Sequence, residues 1–261
     1  MESLQKKVFR NWPELEMNAE LTEIQRSTSK KQTGILYQLK TDPNTSLPVF
    51  WMKSGAKTNK VRVVVLDDTN WEQWRAVLAG SFPDLSFFDE EQQGAKKSQE
   101  LEGNEDLIFI SVRGAGPAAY SGELNMTQIK RRFYLIGQTL EQMQTWDILQ
   151  AMRVINPMIE GKKLSVSATG QTANLLMYSS LYFDFPTQLD LETPHVTHMT
   201  GPAYLNVLKY MDVPASVLLA SDKHKVNIRI GSETAAIRNQ WNQIADIKSG
   251  YPNMNLNIQP R

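Results

Sequence analysis

The residues best placed to do chemistry lie in Leu164–Leu181, which together with Lys163 reads KLSVSATGQTANLLMYSSL. A short apolar strand with Leu164 and Val166 runs into the small-residue turn Ala168-Thr169-Gly170-Gln171-Thr172. An apolar helix follows at once, with Leu175, Leu176, Met177, Tyr178 and Leu181. Strand, tight turn and helix form the layout that presents a serine nucleophile for acyl transfer, usually as G-x-S-x-G. The middle position here is Gly170, which has no side chain to attack with. Ser167 and Thr169 are the neighbouring hydroxyls. Each is either a displaced nucleophile or a local partner of the backbone, as Ser and Thr in turns commonly are.

Such a nucleophile needs a histidine to take its proton and an acid to orient that histidine. In this chain order the acid follows a later strand and the histidine comes near the end. The acid position, after Lys225–Ile230, holds Ser232-Glu233. Glu233 is either that acid or a carboxylate that complements the start of the next helix. The histidine position, Asn255–Arg261, contains no histidine, and His195, His198 and His224 all precede the last helix. His195 and His198 are therefore the bases open to a displaced nucleophile. Their H-x-x-H spacing also suits a metal pair, but no third ligand is tied to them, so neither metal nor cofactor is expected. Asp67-Asp68 and Glu90-Glu91 are adjacent carboxylates that read as solvated turns, with acid/base work as the alternative.

The elements that must position these residues follow from periodicity. Leu21–Ile24, Thr33–Leu39 and Leu47–Met52 read as strands, with a turn at Lys30-Lys31-Gln32. Val61–Leu66 and Leu107–Val112 are rich in β-branched residues, as in a buried parallel sheet. Gln188–Leu191, Lys225–Ile230 and Asn255–Ile258 are further strands. Helices are expected around Trp71–Ala79, over Thr127–Ile155 as the longest pattern, at Ala203–Met211 and at Thr234–Ile247. Residues 89–106 are polar and without period, as in a solvated loop. Alternation of strand and helix from Val61 on predicts a mostly parallel sheet with helices on both faces, and the first three strands an antiparallel edge.

Composition narrows the classes. The chain has 261 residues, of which 41% are apolar and 21% charged, and 28 basic residues balance 28 acidic ones. Zero net charge argues against a nucleic-acid partner, and no run of 18 apolar residues suggests a membrane span. The absence of cysteine excludes disulfides and thiolate chemistry. Residues 1–20 read as an amphipathic lead-in without the apolar stretch of a signal peptide, and 21–261 as a single domain. The expectation is a cytoplasmic chain, or a piece of a longer and exported one.

The segments RGAGP (113–117), KRRFYLIGQTLEQMQTWDILQAM (130–152) and GPAYLNVLKYMDVP (201–214) resemble acetyl-xylan-esterase-like α/β-hydrolases of environmental bacteria. More narrowly, they resemble the degenerate C-terminal unit of long two-unit members. The likeness spans residues 20–258 and is most specific in the helix with Arg131, Arg132 and Trp146-Asp147. It implies an α/β-hydrolase fold with an eight-stranded sheet and, in active members, ester hydrolysis by Ser, Asp and His on plant polysaccharides. For this copy, Gly170 at the turn and the absence of a histidine at 255–261 lead to the expectation of a catalytically silent domain, a structural or binding partner of an active esterase unit. An active esterase with a displaced nucleophile and a carbohydrate-binding module are the alternatives. In this fold Arg113 lies over the edge of the sheet beside the turn. There it either holds a carboxylate or sugar acid bidentately or forms a structural pair, with Asp147 or Glu141 as candidate partners. Trp71, Trp74 and Tyr120 could stack on a sugar, although the helical spacing of the tryptophans suits a core.

Overall fold

The computed structural model describes residues 2–14, 17, 19–28, 32–55, 57–82, 84–88, 105–121, 125–231, 234–251 and 253–260. The strands are β1 (Glu20–Thr28), β2 (Gln32–Asp42), β3 (Thr45–Ser54), β4 (Lys60–Val65), β5 (Asp106–Ile110), β6 (Lys163–Thr169), β7 (Gln188–Glu192), β8 (Lys225–Ile230) and β9 (Leu256–Pro260). They form one sheet in the order β1-β2-β3-β5-β4-β6-β7-β8-β9. The expected eight strands are thus nine, because every apolar segment named above, down to the short one at Asn255–Ile258, pairs into it. No helix among the described residues is long and apolar enough to cross a membrane. The turn at 30–31, Glu90-Glu91 and Ser232-Glu233 lie outside the described residues.

Backbone contacts divide the chain into two compact units. One comprises Asn18–Tyr120 and Gln150–Ser165. In it β1, β2 and β3 run antiparallel, β3 pairs antiparallel with β5 (Trp51 opposite Ile108), and β4 pairs parallel with β5 (Val63 opposite Ile108). All five residues of β5 are buried, and its apolar run Leu107–Ile110 is what a strand covered on both faces requires. Helix α2 (Asp68–Ser81) packs Trp71, Leu78 and Ala79 into a core with Phe50, Phe82 and Phe109. Trp71 stacks on Phe50 at 5.8 Å, and Trp74 meets Phe109 at 4.7 Å between ring centroids. Both tryptophans serve that core.

The carboxylates Asp67 and Asp68 have structural work here. Asp67 caps α2, accepting from the amides of Thr69 and Asn70 while Asn70 Oδ1 accepts from the Asp67 amide. Asp68 Oδ1 accepts from the amide of Gly116 at 2.7 Å and so ties the RGAGP turn to the head of α2. Asp67→Ala removes the cap and should cost about 1 kcal/mol, read as a lowered urea midpoint with unchanged slope.

The other unit comprises Met1–Met17, Ser121–Leu149 and Val166–Arg261. Strands β7, β8 and β9 are parallel, with Leu191 opposite Ile228 and Ile228 opposite Ile258. The helix expected over Thr127–Ile155 is two helices, α3 (Met126–Leu135) and α4 (Leu140–Met158). The break is a Schellman turn. Gly137 takes φ +71°, its amide bonds Tyr134 O, and the Gln138 amide bonds Phe133 O. Thr139 Oγ1 then accepts from the Gln142 amide and starts α4.

The helix expected over Ala203–Met211 does not form. That stretch holds one 3-10 turn, Val207–Lys209, after Asn206 in the left-handed region (φ 66°). The real helix, α6 (Val213–Lys223), starts just beyond it, with Asp212 as N-cap and Pro214 in its first turn. α7 (Ala235–Ser249) buries Trp241 and Ile244.

Candidate functional site

β6 delivers the chain to Thr169, whose backbone is still extended (φ −125°, ψ 145°). The next residue, Gly170, takes φ +55° and opens α5 (Gly170–Ser180). Reversal of φ between consecutive residues makes the sharp strand-to-helix elbow. A left-handed residue at its tip is the conformation glycine adopts without steric cost. Apart from its chain neighbours and the backbone of its own helix, no heavy atom of the described residues lies within 4 Å of where a Cβ on Gly170 would stand, so the tip is open space. Thr169 makes no side-chain cap bond to α5, Thr172 Oγ1 donates to Thr169 O at 2.7 Å, and Ser167 is half-buried on β6.

Helix α5 also governs the loop after β7. Gly170, Asn174 and Tyr178 are spaced by four and so share one face. Asn174 is fully buried and pairs with the backbone of His195 both ways: its Nδ2 donates to His195 O at 2.9 Å and its Oδ1 accepts from the His195 amide at 2.8 Å. Burial lowers the pKa of the His195 ring.

Tyr178 Oη lies 2.6 Å from His198 Nε2, and His198 Nδ1 lies 2.7 Å from Pro202 O. A carbonyl can only accept, so Nδ1 carries the proton and Nε2 accepts from the phenol. Burial holds the His198 pKa below its ordinary value, although the Pro202 carbonyl and Asp212 oppose it. Burial also raises the Tyr178 phenol, which therefore stays a donor. Both ring nitrogens of His198 are occupied, and neither partner is a serine or threonine.

Asp212 fixes the same loop from the other side. Its Oδ2 accepts from Thr197 Oγ1 at 2.6 Å, and its Oδ1 accepts from the amides of His198 and Val213 at 2.8 Å each. Burial alone would raise this carboxyl, but those three bonds, helped by His198, hold its pKa below the usual value. His224 is a buried core residue. Its Nε2 donates to Ser180 O at 2.8 Å, and burial lowers its pKa.

Arg113 is buried and forms an ion pair. Its Nη2 donates to Asp42 Oδ2 at 2.8 Å and lies 3.3 Å from Thr41 Oγ1. Glu141, considered above as its partner, receives Lys130 Nζ at 2.7 Å. Arg131 and Arg132 are exposed on α3. Among the described residues no three His, Asp or Glu side chains gather as a metal site requires. Glu233 lies outside the described residues.

No family model matches this sequence, and no curated protein matches it significantly. Solved structures do resemble it. A Bacteroides fragilis protein taken to be an acetyl xylan esterase superposes with a TM-score of 0.66 at 12% identity, covering 99% of this chain and 72% of that one. Acetyl xylan esterase 1 from Thermoanaerobacterium gives 0.53 at 12%, covering 100% and 84%. The glucuronoyl esterase from Solibacter usitatus gives 0.63 at 7%, covering 96% and 83%. The fold is that of an α/β-hydrolase. At these identities the likeness speaks for the fold, and in an α/β-hydrolase the nucleophile stands at the strand-to-helix turn. Here that turn is Thr169-Gly170.

Sequence reasoning singled out Gly170, His195 and His198 but not Asn174, Tyr178 or Asp212, which hold the histidine loop. The four-residue spacing of Asn174 and Tyr178 from Gly170 was the available signal. Only the fold reveals that their partners lie about twenty residues further on.

Proposed function

We propose that this chain is a catalytically silent esterase-type α/β-hydrolase domain. It serves as a structural or binding partner of an active carbohydrate esterase unit, with plant polysaccharide as the ligand class. One observation carries this reading: the elbow tip is Gly170, at φ +55°, with no side chain. Acyl transfer at that point needs an oxygen and a base to deprotonate it. His198 is already committed through both ring nitrogens to Tyr178 and Pro202 O, and Asn255–Arg261, where this fold places the base, holds no histidine.

The test is to assay the purified chain on p-nitrophenyl acetate and acetylated xylan. The expected result is no turnover above background. Turnover abolished by a serine-directed reagent would overturn the proposal. Gly170→Ser sharpens the test, since it restores a hydroxyl in open space. Its left-handed backbone should cost roughly 1–2 kcal/mol, read as a lowered melting temperature. It should gain no turnover, because no histidine stands at 255–261, where this fold places the base that would activate the new oxygen.

A further inference from the structure

The stretch that reads as a helix, 203–211, instead shapes a hollow. Asn206 turns the chain at φ 66°, ψ 4°. A non-glycine residue held in that region often marks a functional site. The turn leaves a cavity of about 410 Å³, whose lining includes His198, Pro202, Tyr204, Asn206, Leu208 and Lys209. That volume falls within the roughly 300–1,000 Å³ typical of small-molecule sites.

The walls are mostly apolar, and the polar groups among them are largely spent. Tyr204 is buried with its hydroxyl 2.7 Å from Thr145 Oγ1, and both His198 nitrogens are bonded. Two polar side chains remain for a ligand. Asn206 and Lys209 are exposed, and neither makes a side-chain bond among the described residues. Asp212, the carboxylate nearest in sequence, does not line the cavity, and its oxygens are occupied by Thr197, His198 and Val213.

We propose that this cavity binds a small organic acid, a monocarboxylate on an apolar body. The carboxylate sits on Lys209 Nζ and the Asn206 amide, and the body packs on Pro202, Leu208 and the Tyr204 ring. An ammonium at an apolar hollow selects for one negative charge joined to hydrophobic surface. The site is independent of the elbow, so the inference stands whether or not the chain turns over esters.

The intact protein is titrated with 3-phenylpropanoate, and binding is followed by calorimetry and by the imidazole proton signals of His198. Saturable binding at about 1 mM or tighter is expected, with the His198 signals moving. Lys209→Ala should weaken it about tenfold or more while leaving the melting temperature unchanged. The neutral 3-phenylpropanol should bind at least about tenfold more weakly for the same reason. Ala203 also lines the hollow, and Ala203→Trp, which fills it, should abolish binding. If that variant fails to fold, Lys209→Ala alone decides. No saturation by about 20 mM, an unchanged affinity in Lys209→Ala, or equal binding of the alcohol would each overturn the proposal.

Discussion

Trp12→Ala should destabilise the protein by about 3–5 kcal/mol, the range for truncating a buried aromatic. Trp12 lies in the segment that reads as a lead-in, yet it is 8% exposed, and Phe9 beside it is 1% exposed. The two rings stack at 4.2 Å between centroids. Phe9 then meets Tyr178 at 6.2 Å and Tyr204 at 5.3 Å, while Trp12 meets Tyr182 at 5.1 Å and Trp146 at 5.6 Å. Polar bonds lock the segment in place. Trp12 Nε1 donates to Gln142 O at 2.9 Å, Asn11 Nδ2 to Gly137 O at 2.7 Å, and Gln138 Nε2 to Asn11 O at 2.5 Å. Alanine would lose the ring contacts and the indole's hydrogen bond to Gln142 O. The measurement is urea unfolding with a thermal melt beside it, where a fall of roughly 10 °C is expected. Lys6→Ala, on the exposed face of α1 (Glu2–Lys7), is the control and should stay within about 0.5 kcal/mol. A loss below about 1 kcal/mol for Trp12→Ala would mean that residues 8–12 are a loose lead-in after all.

The contrast between Trp12 and the elbow explains what was legible in the sequence. Val61–Leu66 and Leu107–Val112 announce buried strands because β-branched runs have little other use. The elbow announces itself because small residues must stand between an apolar strand and an apolar helix. The Gly137 break was hidden because apolar spacing continues across it, and only the left-handed glycine and Thr139 cap divide the pattern. At 203–211 the spacing of Tyr204, Val207, Leu208 and Met211 fits a helix, and nothing local shows that Asn206 reverses the chain. Phe9 and Trp12 are visibly apolar, but periodicity cannot name a partner more than a hundred residues away. The same limit hid Asn174 and Tyr178, whose roles are set by backbone and ring partners supplied by the loop after β7.

Asp212→Ala should cost about 2–4 kcal/mol at neutral pH, and the cost should shrink in acid. One carboxylate caps α6 and accepts from Thr197 Oγ1 and the His198 amide as well. Loss of a cap alone costs up to about 2 kcal/mol, and each further orphaned donor adds about 1 kcal/mol. The sign of the pH dependence follows from the direction of the shift. The folded-state carboxyl titrates below its ordinary value, because the three donors outweigh the burial that would raise it. Its contribution is therefore fully present above the unfolded pKa of about 3.9 and is lost as pH falls through the lower, folded value. Asp42 behaves the same way. Burial raises its carboxyl, but the Asn44 amide and Arg113 pull it below the ordinary value, so it adds to the acid lability of the wild type. Urea midpoints of wild type and Asp212→Ala at pH 7 and near pH 3 separate the contributions. A gap of equal size at both would show that packing, not the carboxylate, carries the effect. A gap that narrows in acid makes the ionised Asp212 the group that pins Thr197 and His198. The orientation of the His198 ring toward Tyr178, and with it the wall of the cavity, then depends on a charge rather than on packing alone.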